Sequence, residues 1–145
     1  MADDPWEEIF TRLAELRDGF PARGWTYDRR LRCVTVAFPA SDEPRAQAAV
    51  AAAMPAAWTA GTLADAPAEV RALVGACGGL RAGQKISWGG GEPGAAGPGP
   101  FGLWWPWGDA TTISLRIGLH DLDQPKVRYP RLRDIFGIPQ APAQD

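Results

Sequence analysis

The stretch that decides how this chain folds runs from Trp88 to Thr112 and reads WGGGEPGAAGPGPFGLWWPWGDATT. Between Gly89 and Gly108 it contains eight glycines and four prolines, a density that is typical of neither a helix nor a central strand. Four of the seven tryptophans of the chain lie in it or at its edge. We therefore predict a Gly/Pro/Trp-rich loop over residues 89–109, a flexible arm with an aromatic tip.

The aromatic tip, Trp104, Trp105 and Trp107, carries the largest apolar surface of the sequence. Burying one tryptophan removes on the order of 150–250 Å² from water, so this residue is seldom left on a solvated linker. Three explanations follow. Folding back over the domain's own core is the one that burial favours, and docking onto another protein comes second because tryptophan is enriched in interface hot spots. Membrane insertion is least favoured because no Lys/Arg cluster flanks the tip.

Upstream of the arm, the pattern predicts a helix and then a β-hairpin. The helix spans residues 4–18, with Asp4 as its N-cap and apolar residues recurring every three or four positions. The hairpin spans residues 24–38, and alternate residues of its second strand are apolar. The apolar residues that we expect to pack on the first helix are Val34, Val36 and Phe38.

The remaining elements lie on either side of the arm. An Ala-rich helix is predicted near residues 44–53, and a third helix follows a cap at Asp65. Strands are predicted at residues 84–88 and 111–119, and we expect them to be antiparallel neighbours because no helix separates them. A last short helix is predicted at residues 130–136.

The resulting order α-β-β-α-α-β-β-α predicts an α+β fold, with a small antiparallel sheet of about four strands and helices on one face. With 145 residues, the chain is expected to form one domain over residues 1–138. The Pro- and Ala-containing tail at residues 139–145 is expected to be frayed.

Composition narrows the function classes. A net charge of −2 argues against general nucleic-acid binding, which normally needs a basic excess. Cys33 and Cys77 lie in apolar stretches and are expected to be small buried residues instead of a disulfide. No secretory or membrane-spanning stretch is evident, so we expect a cytoplasmic protein without a membrane partner. The abundance of Ala, Gly, Pro and Arg is typical of GC-rich bacterial genomes.

Two polar groupings have candidate chemistry. His120, the single histidine, lies beside Asp121 and Asp123, a pattern that fits a general base or a metal ligand. A histidine in the turn that ends a strand is the more ordinary explanation. Asp109, at the other end of the same strand, would lie roughly 30 Å away. The Gly-rich arm has no Gly-Lys-Ser/Thr element, so it does not match a phosphate-binding loop.

A basic run near the C-terminus comprises Lys126, Arg128, Arg131 and Arg133 around Tyr129. Such a run can bind phosphate or an acidic partner. The more ordinary explanation is a solvated helix face whose counter-charges come from the acidic N-terminus.

The function that we favour is a non-enzymatic protein-interaction module, an adaptor or an inhibitor or immunity-type partner, which binds another protein through the Trp-rich loop and the adjacent sheet. The residues predicted to contact that partner are Phe101, Trp104, Trp105, Trp107 and Arg116. The alternative is a small-molecule-binding domain or enzyme whose pocket lies under the arm, with the arm as a lid. Its candidate polar groups are His120, Asp121 and Asp109. Neither hypothesis calls for a metal or a cofactor.

Overall fold

The computed structural model describes residues 4–89 and 97–139. These residues form an α+β fold with four α-helices and one antiparallel sheet of six strands. The helices are α1 (Pro5–Gly19), α2 (Glu43–Ala53), α3 (Ala68–Ala76) and α4 (Pro125–Ile135). The strands are β1 (Thr26–Asp28), β2 (Cys33–Pro39), β3 (Ala56–Thr59), β4 (Lys85–Trp88), β5 (Gly99–Pro106) and β6 (Thr112–His120). The spatial order is β1-β2-β6-β5-β4-β3.

Helix α1 and the β1–β2 hairpin confirm the sequence prediction. Asp4 caps α1 by accepting a hydrogen bond from the backbone N–H of Trp6 at 3.0 Å, and Pro5 occupies the first turn. Trp6 begins a buried stripe along the helix. The residues that share one core cluster with this stripe include Val34, Val36 and Phe38 from β2. The apolar stripe of the helix and the apolar side of the strand therefore pack together as predicted.

The prediction of a loop over residues 89–109 was wrong for its second half. Residues 99–106 form β5, which lies in the middle of the sheet between β4 and β6. Pro100 and Pro106 lie near the two ends of the strand, where a missing N–H donor disturbs the ladder least. The carbonyl of Pro100 still accepts a hydrogen bond from Gly89 at 2.9 Å. Residues 90–96 lie outside the described part of the chain.

The insertion of β5 also corrects the predicted pairing and the strand count. The strands that flank the arm, β4 and β6, were expected to be neighbours, and each pairs with β5 instead. The sheet has six strands where about four were expected. One extra strand is β5, and the other is the edge strand β3, whose only large apolar residue is Trp58. A four-residue strand with one such residue shows too little alternation to be recognised.

The sheet carries helices on both faces, which corrects the expectation of a single covered face. On the first face, residues from α1, α2 and α4 join β2, β5 and β6 in one core cluster. On the second face, Val70 and Val74 of α3 pack with Ile86 of β4 and Leu103 of β5. The prediction of a single covered face was based on β6, where every second residue is polar or glycine and therefore suggests a solvent-exposed face.

Two helix boundaries also differ from the prediction. Pro67, and not Asp65, lies at the N-cap of α3, because residues Leu63–Asp65 form a short 3-10 turn. Helix α4 begins at Pro125, five residues before the predicted start, and contains Pro130. Within the described ranges, no helix is both long enough and apolar enough to cross a membrane. Of the tail predicted to be frayed, residues 140–145 lie outside the described residues.

Candidate functional site

The predicted partner-binding residues divide into a buried pair and a group that is at least partly exposed. Trp104 is 3% exposed, and its ring packs edge-on against Phe38 with the ring centroids 5.4 Å apart. Phe101 is 5% exposed on the opposite face, against Gly118 of β6. Both side chains face the protein interior, because the alternating pleat of β5 directs Trp104 to the first core cluster and Phe101 to the second.

The other three predicted residues, Trp105, Trp107 and Arg116, come together at one end of the second face. The guanidinium carbon of Arg116 lies 4.7 Å from the centroid of the Trp105 ring, within the range of a cation–π contact. Trp107 is 51% exposed, and its indole N–H donates to the hydroxyl of Ser114 at 3.2 Å. These three residues therefore share one surface of the sheet.

Strand register explains why these side chains share a surface. Ser114 on the central strand β6 lies between Ala37 of β2 and Trp105 of β5. Two residues along β6, Arg116 pairs with Thr35 in the next row of the same face. We call this area the open sheet patch; its members are Thr35, Ala37, Trp105, Trp107, Ser114 and Arg116. Each of these residues is at least partly exposed.

Two hydrogen-bond donors in the open sheet patch lack acceptors among the described residues. They are the indole N–H of Trp105 and the Nε of Arg116, and both atoms are buried. The Asp28 carboxylate lies 3.9 Å from Arg116 Nε, which is an ion-pair distance but too long for a hydrogen bond. A buried donor without an acceptor costs about 1–3 kcal/mol, so the patch is deficient in acceptors.

His120, the centre of the alternative site, is a core side chain. Its ring stacks on Trp88 with centroids 3.8 Å apart and an interplanar angle of 16°. Its Nε2 lies 3.0 Å from the carbonyl oxygen of Gly89 and, as the neutral tautomer protonated there, donates to it. Burial lowers the pKa of His120, and the hydrogen bond to Gly89 partly opposes this shift. The ring is therefore held neutral in a structural contact.

The two aspartates of the alternative site do not converge on His120. Asp109 accepts hydrogen bonds from the backbone N–H groups of Thr111 and Thr112, and these contacts lower its pKa. It lies before the nine-residue strand β6, whereas His120 ends that strand, so roughly 27 Å of extended chain separates them. Asp121 follows His120 with a left-handed φ of 53°. Within the described residues, no three His, Cys, Asp or Glu side chains are placed to hold a metal ion.

Sequence reasoning missed the residues that complete the open sheet patch, Thr35, Ala37 and Ser114. The signal was present, because Thr35 and Ala37 alternate with the buried apolar residues of β2. The order of the strands, which places β2 and β5 on either side of β6, could not be predicted from this pattern.

Comparison with known proteins adds no relative: no family model, curated protein or solved structure matches this chain.

Proposed function

We propose that this protein is a non-enzymatic interaction module that binds another protein through the open sheet patch. The observation that carries the proposal is the half-exposed Trp107, which lies on the same surface as the cation–π pair of Trp105 and Arg116. Tryptophan and arginine are among the residue types enriched in the energetic hot spots of protein interfaces. Phe101 and Trp104 contribute indirectly, because their burial holds β5 in register.

The chemistry of the patch defines what the partner presents. Trp107 offers an apolar indole surface, and Arg116 offers a cation whose Nε is 3.9 Å from the Asp28 carboxylate. A partner segment with a carboxylate or main-chain carbonyl beside Arg116, and apolar atoms over Trp107, complements both features. We therefore propose that the ligand is a protein segment with an acidic side chain or an accessible main-chain carbonyl. This protein would then act as an adaptor or as an inhibitor or immunity-type partner.

The compartment that we propose is the cytoplasm. Cys33 and Cys77 are both free thiols. Free thiols fit a reducing compartment, where disulfides are rare. The alternative function, a small-molecule site or enzyme under the arm, gains no support from the described residues, because His120, Asp121 and Asp109 do not form one constellation.

The experiment compares a double variant of the patch with a control variant at a residue about as exposed as Trp107. Trp107→Ser with Arg116→Gln removes the two side chains proposed to contact the partner. Val127→Ser removes a different large apolar side chain, which is 53% exposed. Proteins captured by each bait from the native host are identified and purified, and their dissociation constants are measured by titration. We expect a partner that binds the wild type and the Val127→Ser variant equally and binds the double variant at least about tenfold more weakly.

Two results would count against this function. If every captured protein binds the double variant as tightly as the wild type, the patch is not the binding surface. If the only species that depends on the patch is a second copy of this chain, seen by sedimentation, the module is a homodimer and not an adaptor.

A further inference from the structure

A second feature of the molecule is a cavity of about 550 Å³ between the β1–β2 turn and helix α4. It lies on a different part of the molecule from the open sheet patch and shares no residue with it. The side chains that line it include Tyr27, Arg29, Arg32, Lys126, Tyr129 and Arg133. This volume falls within the range of about 300–1,000 Å³ that is usual for small-molecule sites.

The charge of this cavity opposes the charge of the whole chain. The chain carries 17 acidic and 15 basic side chains, for a net charge of −2. Four of the basic side chains line the cavity, and none of the described residues that line it is Asp or Glu. Four cations around one concave space raise the local concentration of anions.

Two cation–π contacts hold guanidinium groups at the cavity. The guanidinium carbon of Arg32 lies 5.4 Å from the ring centroid of Tyr129, and that of Arg133 lies 4.7 Å from the ring centroid of Tyr27. Arg133 is only 4% exposed. Burial raises the pKa of Tyr27, while the nearby Arg133 charge opposes this shift. Its phenol therefore remains a protonated hydrogen-bond donor at neutral pH.

The β1–β2 turn supplies two of the three arginines, Arg29 and Arg32, and its hydrogen bonds fix their position. The Asp28 carboxylate accepts hydrogen bonds from the backbone N–H groups of Arg30 at 2.9 Å and Leu31 at 3.2 Å. Arg32 then adopts a left-handed φ of 55°, a conformation that non-glycine residues seldom take. The turn is thereby fixed with Arg29 and Arg32 beside the start of α4.

The basic run predicted from the sequence is divided by α4 between two surfaces. Arg128 pairs with Asp123 at 3.0 Å, and Arg131 pairs with Asp134 at 3.5 Å. Lys126 and Arg133 are seven residues apart, about two turns along one helix face, and both line the cavity. The cationic character of the cavity therefore comes from two distant chain segments and not from one solvated helix face.

We propose that this cavity is a binding site for a phosphomonoester dianion. The planar fork of Arg32 and the ammonium group of Lys126 match phosphate oxygens, and the phenol hydroxyls of Tyr27 and Tyr129 add hydrogen-bonding groups. The phosphate group can belong to a free small molecule or to a phosphorylated side chain of another protein. Both sources present the same chemistry to the cavity.

The test uses the full chain with two double variants that each remove two positive charges. Arg32→Asn with Lys126→Gln alters the cavity, and Asn tolerates the left-handed backbone at position 32. Arg12→Gln with Arg131→Gln is the matched control, because both arginines are exposed and ion-paired on other surfaces. Phenyl phosphate, a tyrosine-phosphorylated peptide and inorganic phosphate are titrated calorimetrically at constant ionic strength. We expect phenyl phosphate to bind the wild type and the control alike, and the cavity variant at least about tenfold more weakly.

The remaining outcomes also decide the matter. Tighter binding of the phosphopeptide than of phenyl phosphate supports the site and assigns its ligand to a protein side chain, whereas equal or weaker binding supports a free small phosphate. If phenyl phosphate shows no saturable binding up to about 10 mM, or if the control variant loses as much affinity as the cavity variant, the proposal is wrong. Unliganded melting temperatures are measured for both variants to confirm that each one folds.

Discussion

The two faces of the sheet differ in how completely they are covered. On the first face, aromatic rings form a chain of contacts in which Phe38 packs edge-on against both Phe20 and Trp104. On the second face, the nine-residue helix α3 packs beside Ile86 and Leu103, and the residues beyond it are partly exposed. One face is therefore a complete core, and the other combines a smaller core with an open surface.

Neighbouring tryptophans in β5 show what this difference means. Trp104 and Trp105 are adjacent in sequence, yet Trp104 is buried in the first core cluster and Trp105 lies at the edge of the second. The pleat directs successive side chains to opposite faces, so one aromatic run serves two purposes. Dense tryptophan in a sequence is therefore not evidence for one functional unit until its strand register is known.

The largest expected effect concerns the complete face. Trp104→Ala removes a ring that is 3% exposed and packed against Phe38, and it leaves a cavity in the core. We expect a loss of about 3–5 kcal/mol in the free energy of unfolding, measured by urea denaturation. The loss should be much smaller for Trp104→Phe, which keeps part of the ring. A loss below about 1 kcal/mol would show that the first face tolerates a void and would weaken the contrast between the faces.

Glycines on the two faces should show the opposite order, with the larger loss at the covered end of the second face. A Cβ at Gly118, on the second face, would lie 2.5 Å from the Phe101 ring and 2.9 Å from the Cys33 sulfur. A Cβ at Gly102, on the first face, would lie 3.3 Å from the terminal methyl of Met54, which is flexible. We expect Gly118→Ala to cost about 1–3 kcal/mol and Gly102→Ala clearly less. Equal losses on urea denaturation would mean that the covered end of the second face packs more loosely than the distances indicate.

The sequence predicted the elements whose own pattern is sufficient. Helix α1 has a cap, a stop and a regular apolar stripe, and β2 and β6 alternate cleanly between apolar and polar residues. Strand β5 has no such pattern, because most of its residues are buried on both faces of the sheet. Its residues that are not large and apolar are glycine and proline, which do not predict a strand. Its assignment depends on pairing with β4 and β6, which is information outside the strand itself.

The candidate sites show the same limit. Trp105, Trp107 and Arg116 were identified from residue type, and their proximity followed from sheet register. The cationic cavity was not predicted, because Arg29 and Arg133 lie about a hundred residues apart and meet only in the folded chain. The chemical character of a residue is evident from the sequence, whereas which side chains come together in one site depends on the tertiary structure.

The covered end of the second face should respond to pH through His120. Burial against Trp88 lowers its pKa, so the unfolded chain takes up a proton before the folded chain does as the pH falls below about 6.5. Folding is therefore unaffected by this group above neutral pH and becomes less favourable in acid, by at most about 1.4 kcal/mol at pH 5.5. The measurement compares unfolding free energies at pH 7.5 and 5.5 for the wild type and His120→Asn. A larger acid loss in the variant than in the wild type would contradict the assigned direction.

The smallest effect on stability is expected at the open end of the same face. Trp107→Ala removes a side chain that is 51% exposed and whose hydrogen bond to Ser114 lies at the surface. We expect the free energy of unfolding to change by no more than about 0.5 kcal/mol, as is usual for substitutions at exposed positions. The comparison is made on the same urea curves as Trp104→Ala, with the far-ultraviolet circular dichroism of the folded state as a control.

A loss for Trp107→Ala that approaches the one expected for Trp104→Ala would remove the distinction between the two tryptophans. It would mean that the indole stabilises the fold through contacts at the end of β5, and the open sheet patch would then be the edge of a core. A near-zero change means that the fold gains almost nothing from this ring. An exposed tryptophan that contributes little to stability but adds a sticky apolar surface is best explained by recognition, so this measurement tests the premise of the proposed interface without any knowledge of the partner.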